Sequence, residues 1–475
     1  MKELTELTAL QLSTGLAAGK FSSVELMRAY LQRIDALNPA LNAIVALRPQ
    51  TQLLEAAHHA DQTVRDGWLH GIPIAIKDLA ETKGMTTTFG SPLFSTHVPV
   101  ADCSMVKRLR DAGAIIIGKT NTPEFGLGSH TYNPVYGITR NPYDTALSAG
   151  GSSGGAAAAL AARLLPVADG SDMMGSLRNP AAFNNVYGFR PSAGRIPNDK
   201  ASDACQLPLA TGGPMGRSML DVAQLLDTLC AHDPSQPWCL PVENSFLQAL
   251  QADPSPSLTG TRIGWIGDAK GHYPMQDDVL HLCQQALQVL ETLGCEIQPI
   301  DPGIDLHALF DAWCTLRSHA VACALGTHFK DATQRAQLKP EAQWEIERGL
   351  TFTGEQLHEA NLVRSNWFAT AASLFDQVDA LCLPSAAILP FDAEQQWVDT
   401  INGIKMTTYH EWMSVVVPAS LAGLPTLAIP AGFNNHGLPA GLQLMGRYSM
   451  DAKMLRIGQA YHLATDWPGR FPPDL

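Results

Sequence analysis

Apolar and polar positions alternate between two kinds of pattern along the chain. The first forty residues read as two helices. Gly19 ends the first, and a Ser22–Glu25 capping box starts the second. In that second helix Leu26, Tyr30, Ile34 and Leu37 recur at helical spacing. Short, continuous apolar runs follow, such as "IPIAI" (72–76) and "AIII" (114–117). Runs of that length without polar alternation are expected of strands buried on both faces. Residues 104–112 suit a helix stopping at Gly113, and the alanine run 156–165 suits a tightly packed helix. Beyond these come "TRIGWI" (261–266), a helix near 278–293, "CEIQPI" (295–300), "ALCLP" (380–384), "PTLAIPAGF" (425–433) and "AGLQLMG" (440–446). Buried strands alternating with helices predict an α/β fold, its sheet covered on both faces. The Pro-, Ser- and Asp-rich stretch 231–260 fits either a domain boundary or a surface loop. No internal repeat or low-complexity tract interrupts the pattern.

Composition narrows the function classes. Charged residues are 16 % of the 475, below the usual quarter or so, as expected of a chain with much interior. The net charge is −13 and no basic run is present, which argues against nucleic-acid or anionic-membrane binding. The nine cysteines are odd in number and none forms a C-x-x-C pair. They read as free thiols in a reducing compartment. No signal-peptide-like segment and no membrane-length apolar run is present. The expectation is a soluble, cytoplasmic protein.

Three short motif matches point to three unrelated enzymes, and the residues argue against each. "GAIIIGKT" (113–120) satisfies the P-loop pattern. Yet a P-loop needs a pliable loop between its glycines, whereas Ile115, Ile116 and Ile117 favour a strand. Lys119 is then an ordinary residue at a strand end. Ser104 and Lys107 match S-x-x-K, but no K-T-G or S-D-N supports it, and a solvated helix face is the plainer reading. Gly150, Ser152 and Gly154 match the G-x-S-x-G nucleophile elbow. An elbow needs a strand leading into it, and "NPYDTALSAGG" reads as a loop. A P-loop NTPase and an α/β-hydrolase esterase stand as the rival readings from other classes.

Three segments make joint chemical sense: "GIPIAIKD" with Lys77, "GGSSGG" (150–155), and "GSDMMGSLRNP" (170–180) with Ser176. In this combination the chain resembles the amidase signature family. "TNTPEFGLGS" (120–129), "TRNPYD" (139–144), "GFRPSAGRIP" (188–197), "GPMGRS" (213–218) and residues 422–446 extend the resemblance over nearly the whole chain; it is weakest over 231–375. The resemblance implies one large α/β/α domain over 1–475. It would have a mixed central sheet, a helical N-terminal segment 1–40 and a more variable region 231–375. By position, Ser176 resembles the family's nucleophile, Ser152 its cis serine and Lys77 its base. A cis bond between residues 151 and 152 is likewise implied by the resemblance.

The chemistry supports those roles. A serine hydroxyl needs a base within reach, and a lysine serves as one only when neutral. Burial beside "IPIAI" lowers its pKa. A second hydroxyl, Ser152, can relay the proton between Ser176 and Lys77, and Ser153 has a supporting hydrogen-bond role at most. Backbone N–H groups of Met173, Met174, Gly175 and Ser176 are the expected oxyanion hole. Here the chain departs from the family's two glycines before the nucleophile. Met174 is expected to tolerate positive φ less well, and its thioether is expected to enter the pocket. Asp172 and Arg178 are expected to pin the loop. Gly126 and Gly128 align with the acyl-pocket segment of relatives, leaving room for a bulky acyl group.

No H-E-x-x-H or similar ligand spacing appears, so neither metal nor cofactor is expected. The resulting expectation is a serine amidase that hydrolyses a small-molecule linear amide, with no nucleic-acid or membrane partner; a homodimer is compatible with it. The alternative within the family is the glutamine-hydrolysing A subunit of a tRNA-dependent amidotransferase.

Overall fold

The computed structural model describes residues 2–198, 203–242 and 244–475. The N-terminal segment forms three helices where the pattern predicted two: Lys2–Glu6, Ala9–Ala17 and Ser23–Leu41. The break between the first two is capped by Thr8, whose hydroxyl accepts from the Gln11 N–H. Ser22 and Glu25 form the expected capping box of the third.

Eleven strands build the two main sheets: β1 (Ile44–Val45), β2 (Pro73–Lys77), β3 (Ile115–Thr120), β4 (Val167–Asp172), β5 (Tyr187–Arg190), β6 (Thr211–Gly216), β7 (Arg262–Trp265), β8 (Glu296–Pro299), β9 (Ala380–Pro384), β10 (Thr426–Phe433) and β11 (Pro439–Gly446). The large sheet has eight strands in the order β8-β7-β9-β11-β10-β5-β6-β4. It is mixed: β7 runs parallel to β8 and β9, and the other pairs are antiparallel. Strands on both sides of the 231–260 stretch belong to this one sheet. That stretch is therefore a connection within the sheet, and it carries its own short helix, Phe246–Ala252.

Helices cover both faces, and β11 shows why. Gly441 leaves room for Ala182 of helix Arg178–Phe183, and Gly446 leaves room for Met454 of helix Asp451–Thr465. Five residues apart on a strand, the two glycines face opposite sides. The region 306–374 is built on three helices, with Pro340–Gly349 and Gly354–Leu374 each packed against the long helix Leu306–Lys330.

The small sheet, β1-β3-β2, pairs β2 parallel to β3. It joins the large sheet at edge strand β4, where the Lys77 N–H donates to both carboxylate oxygens of Asp169 at 3.1 and 3.3 Å. The end of β2 thus meets β4, and the residues of interest gather there.

Candidate active site

Lys77 closes β2, after the fully buried Ile74, Ala75 and Ile76. It is 1 % exposed. Its ammonium donates to three hydroxyls: Ser152 Oγ and Ser153 Oγ, each at 2.8 Å, and Ser171 Oγ at 3.0 Å. Burial lowers the Lys77 pKa to about 7, against the opposing pull of Asp169 and Asp172. Burial also raises Asp169 to about 6, opposed by its bond from the Lys77 N–H and by the nearby lysines Lys119 and Lys77.

Ser152 lies in a loop that no strand enters, ahead of the buried helix Gly154–Ala161. The loop is held from 129–131. Ser129 Oγ donates to the Gly151 carbonyl at 2.8 Å, and Thr131 donates twice to that of Gly150. The Gly151–Ser152 peptide is cis.

Ser176 sits just past the end of β4 and is 6 % exposed. The Ser153 N–H donates to its carbonyl at 3.2 Å, tying the two serine loops together. Its hydroxyl makes no hydrogen bond among the described residues. Ser152, Ser171 and Ser176 open onto one cavity of about 620 Å³. Phe89, Phe94 and Phe125 form an aromatic wall, with Phe94 edge-on to both Phe89 and Phe125.

The loop 173–176 differs from expectation in three respects. The Gly175 N–H is not available to an oxyanion, because it donates to Asp172 Oδ1 at 2.9 Å. The N–H groups of Met173, Met174 and Ser176 make no hydrogen bond among the described residues. Positive φ falls on Gly175 (78°) and not on Met174. A Cβ there would also overlap the Asn179 side chain. The thioether in the cavity wall belongs to Met173. Met174 is 2 % exposed and turns into the core, where its sulfur accepts from Trp313 Nε1 at 3.2 Å.

Asp172 and Arg178 form a fully buried pair, with Arg178 Nε and Nη2 each 3.0 Å from the carboxylate. Burial alone would raise the Asp172 pKa, but Arg178 and Arg190 hold it well below the usual carboxylate range. The carboxylate also accepts from the Leu177 N–H, and Arg178 reaches on to Gln443, Ser420 and the Val416 carbonyl.

Gly126 lines the cavity, and a Cβ there would stand 3.4 Å from Ser152 Oγ. Gly128 does not reach it. The backbone turns at Glu124–Gly126, and Gly128 lines a separate narrow cleft beside Tyr409. Lys119 is not an ordinary strand-end residue. It is fully buried, and its ammonium donates to the Ala80 carbonyl at 2.6 Å and to Thr82 Oγ1 at 2.8 Å. Lys107 lies on an exposed helix face, paired with Asp111 at 2.7 Å. Among the described residues no group of three or more His, Cys, Asp or Glu is placed to hold a metal.

Three site residues escaped the motif reading in whole or part: Asp169, Ser171, and Ser153 as an equal ligand of Lys77. Ser171 was marked only by lying between Gly170 and Asp172. Asp169 had no local signal, because its partner Lys77 is 92 residues away.

Comparison with known proteins points one way. The Amidase family model matches residues 25–455. The chain is 34 % identical over 499 residues to the A subunit of the glutamyl-tRNA(Gln) amidotransferase of Chloroflexus aggregans, covering 99 % of each chain. It is 32 % identical over 479 residues to an acylamidase of Rhodococcus erythropolis, covering 98 % of this chain and 97 % of that one. Among solved structures it is similar to a bacterial aryl acylamidase of the amidase signature family, with a TM-score of 0.91, 27 % identity and 99 % of both chains covered. It is also similar to a peptide amidase of Stenotrophomonas maltophilia, with a TM-score of 0.79, 30 % identity and 98 % of both chains covered.

Proposed function

The chain belongs to the amidase signature family, and from that premise we propose that it hydrolyses an apolar amide through an acyl-enzyme on Ser176. The observation that carries the reading is the 2.8 Å contact of a buried Lys77 Nζ with Ser152 Oγ, beside a Ser176 hydroxyl open to the same cavity.

With Lys77 neutral, Ser152 gives its proton to the amine and takes one from Ser176. The Ser176 oxygen attacks the amide carbonyl, and the N–H groups of Met173, Met174 and Ser176 receive the developing oxyanion. The relay then runs backwards and protonates the departing nitrogen, so that ammonia or an amine leaves. Water, activated through the same pair, releases the acid. Asp172 and Arg178 pin the nucleophile loop without touching substrate.

The cavity wall supports an apolar acyl group. Among its described lining residues there is no Arg, Lys, Asp or Glu. Glutamine would bring an ammonium and a carboxylate into that wall without charged partners, so the amidotransferase reading ranks second. All nine cysteines are free thiols, which supports a cytoplasmic setting. No described helix is long and apolar enough to cross a membrane.

The test is mass spectrometry after treatment with a fluorophosphonate. An adduct on Ser176, absent in Ser176→Ala, is the expected result. An adduct on Ser152 alone overturns the assignment, and copurification with a tRNA-binding partner would favour the amidotransferase.

A further inference from the structure

Helix Leu306–Lys330 does two things at once. Its Ala320, Val321, Ala324, Leu325 and His328 line the cavity. One to two turns earlier, the same helix contacts the loop that precedes Ser176. Trp313 Nε1 donates to Met174 Sδ at 3.2 Å, and Arg317 Nη1 donates to Met173 Sδ at 3.4 Å.

Both donors are themselves fixed. Trp313 is fully buried. Arg317 is 2 % exposed and bound to Glu345 Oε1 at 2.6 Å and to Tyr409 OH at 2.7 Å. The Tyr409 hydroxyl in turn donates to Glu345 at 2.8 Å. The thioethers therefore meet a rigid polar frame.

We propose that Trp313 and Arg317 are positioning residues for the oxyanion-binding N–H groups, acting through the sulfurs of Met174 and Met173. The inference rests on the proposed amidase reading. Its physical basis is that Met173 and Met174 carry two of the three unpartnered N–H groups beside Ser176. A loop whose N–H groups are unpaired has few backbone bonds to fix it. Asp172 holds it only at Gly175 and Leu177. Met is flexible about three side-chain bonds, and its sulfur accepts weakly but adaptably. Anchoring each sulfur removes that freedom and sets the direction of the adjoining peptide planes. Oxyanion stabilisation depends on such preorganisation, because donors must already point where charge develops. Met174, standing where the family carries glycine, and its neighbour Met173 thus become attachment points for the region 306–374.

The test uses Trp313→Phe and Met174→Leu, since neither residue lines the cavity. Each is expected to lower kcat on an amide substrate about tenfold while KM stays within about twofold. Inhibition by phenylboronic acid, whose tetrahedral serine adduct places an oxygen in the hole, should weaken by a similar factor. The double variant should be little worse than either single one. Near-UV circular dichroism and the unfolding midpoint report on folding; should Trp313→Phe fail there, the volume-conserving Met174→Leu carries the same comparison. Unchanged kcat and boronate inhibition in the folded variants overturn the proposal, as does a fully additive double variant. If fluorophosphonate and boronate fail to engage Ser176 in the unsubstituted protein, the nucleophile assignment falls instead.

Discussion

The backbone N–H of Lys77 donates to both oxygens of Asp169, at 3.1 and 3.3 Å, while its side chain donates to Ser152 at the far end. One residue thus meets a carboxylate with its main chain and a hydroxyl relay with its ammonium.

This sets the pH dependence. The active form of Lys77 is the neutral amine, and its pKa is lowered to about 7. The neutral fraction grows as pH rises, so kcat/KM should climb through that pH and level off above it. The Asp169 charge raises the Lys77 pKa, so Asp169→Asn should move the acid limb to lower pH. Initial rates across the pH range check both statements; a limb that stays in place removes Asp169 from the tuning.

Breaking the Asp172 pair should be costly. Asp172→Ala leaves Arg178 and Arg190 buried without a counter-charge, which costs about 3–5 kcal/mol. Urea unfolding of the variant measures it. The sign with pH follows from a depressed carboxylate: its contribution is present above the ordinary carboxylate pKa and is lost in acid. The gap to the unsubstituted protein should hold constant from neutral pH to about 5 and narrow below about 4.

The aromatic wall should select substrate. Phe94→Ala removes the ring edge-on to Phe89 and Phe125. An edge-to-face aromatic contact is worth about 0.5–1.5 kcal/mol beyond area burial. The kcat/KM for an aryl-substituted amide should fall several-fold or more, with acetamide hydrolysis little changed. Equal losses on both substrates would move the acyl site away from this wall.

Lys119 should behave as a buried structural cation. Lys119→Met removes the donor to the Thr82 hydroxyl and one of the two donors to the Ala80 carbonyl, which keeps its bond from Thr82 Oγ1, at a cost of about 1–3 kcal/mol. Millimolar ATP should leave the unfolding midpoint of the unsubstituted protein where it is. A shift to higher temperature would reinstate the P-loop.

Much of the frame was legible locally. The runs at Pro73–Lys77, Ala380–Pro384, Thr426–Phe433 and Pro439–Gly446 stood out because continuous apolar stretches of that length bury well as strands. Strands β4, β5 and β6 did not stand out. "VADGSD" and "TGGPMG" have little strand propensity, and their conformation comes from pairing with each other along Val167–Asp172 and Thr211–Gly216. Polar and glycine-rich strands were hidden where the site lies, because the site needs hydroxyls, carboxylates and close backbone approach there.

The sequence by itself determined the α/β character, the strand that buries Lys77, and the motif segments that supply Ser152 and Ser176. These are local properties: periodicity, residue type and spacing. Only the tertiary structure decided which groups meet. It took Gly175 out of the oxyanion donors by giving its N–H to Asp172. It turned Met174 away from the cavity toward Trp313 and left Met173 facing it. It also moved Gly128 to a different cleft from Gly126. Each outcome depends on the direction of a peptide plane or a side-chain rotamer, and that of Met174 is fixed by a partner distant in the chain, Trp313, 139 residues away. No local pattern encodes such a direction, because it is set by the packing of the whole chain.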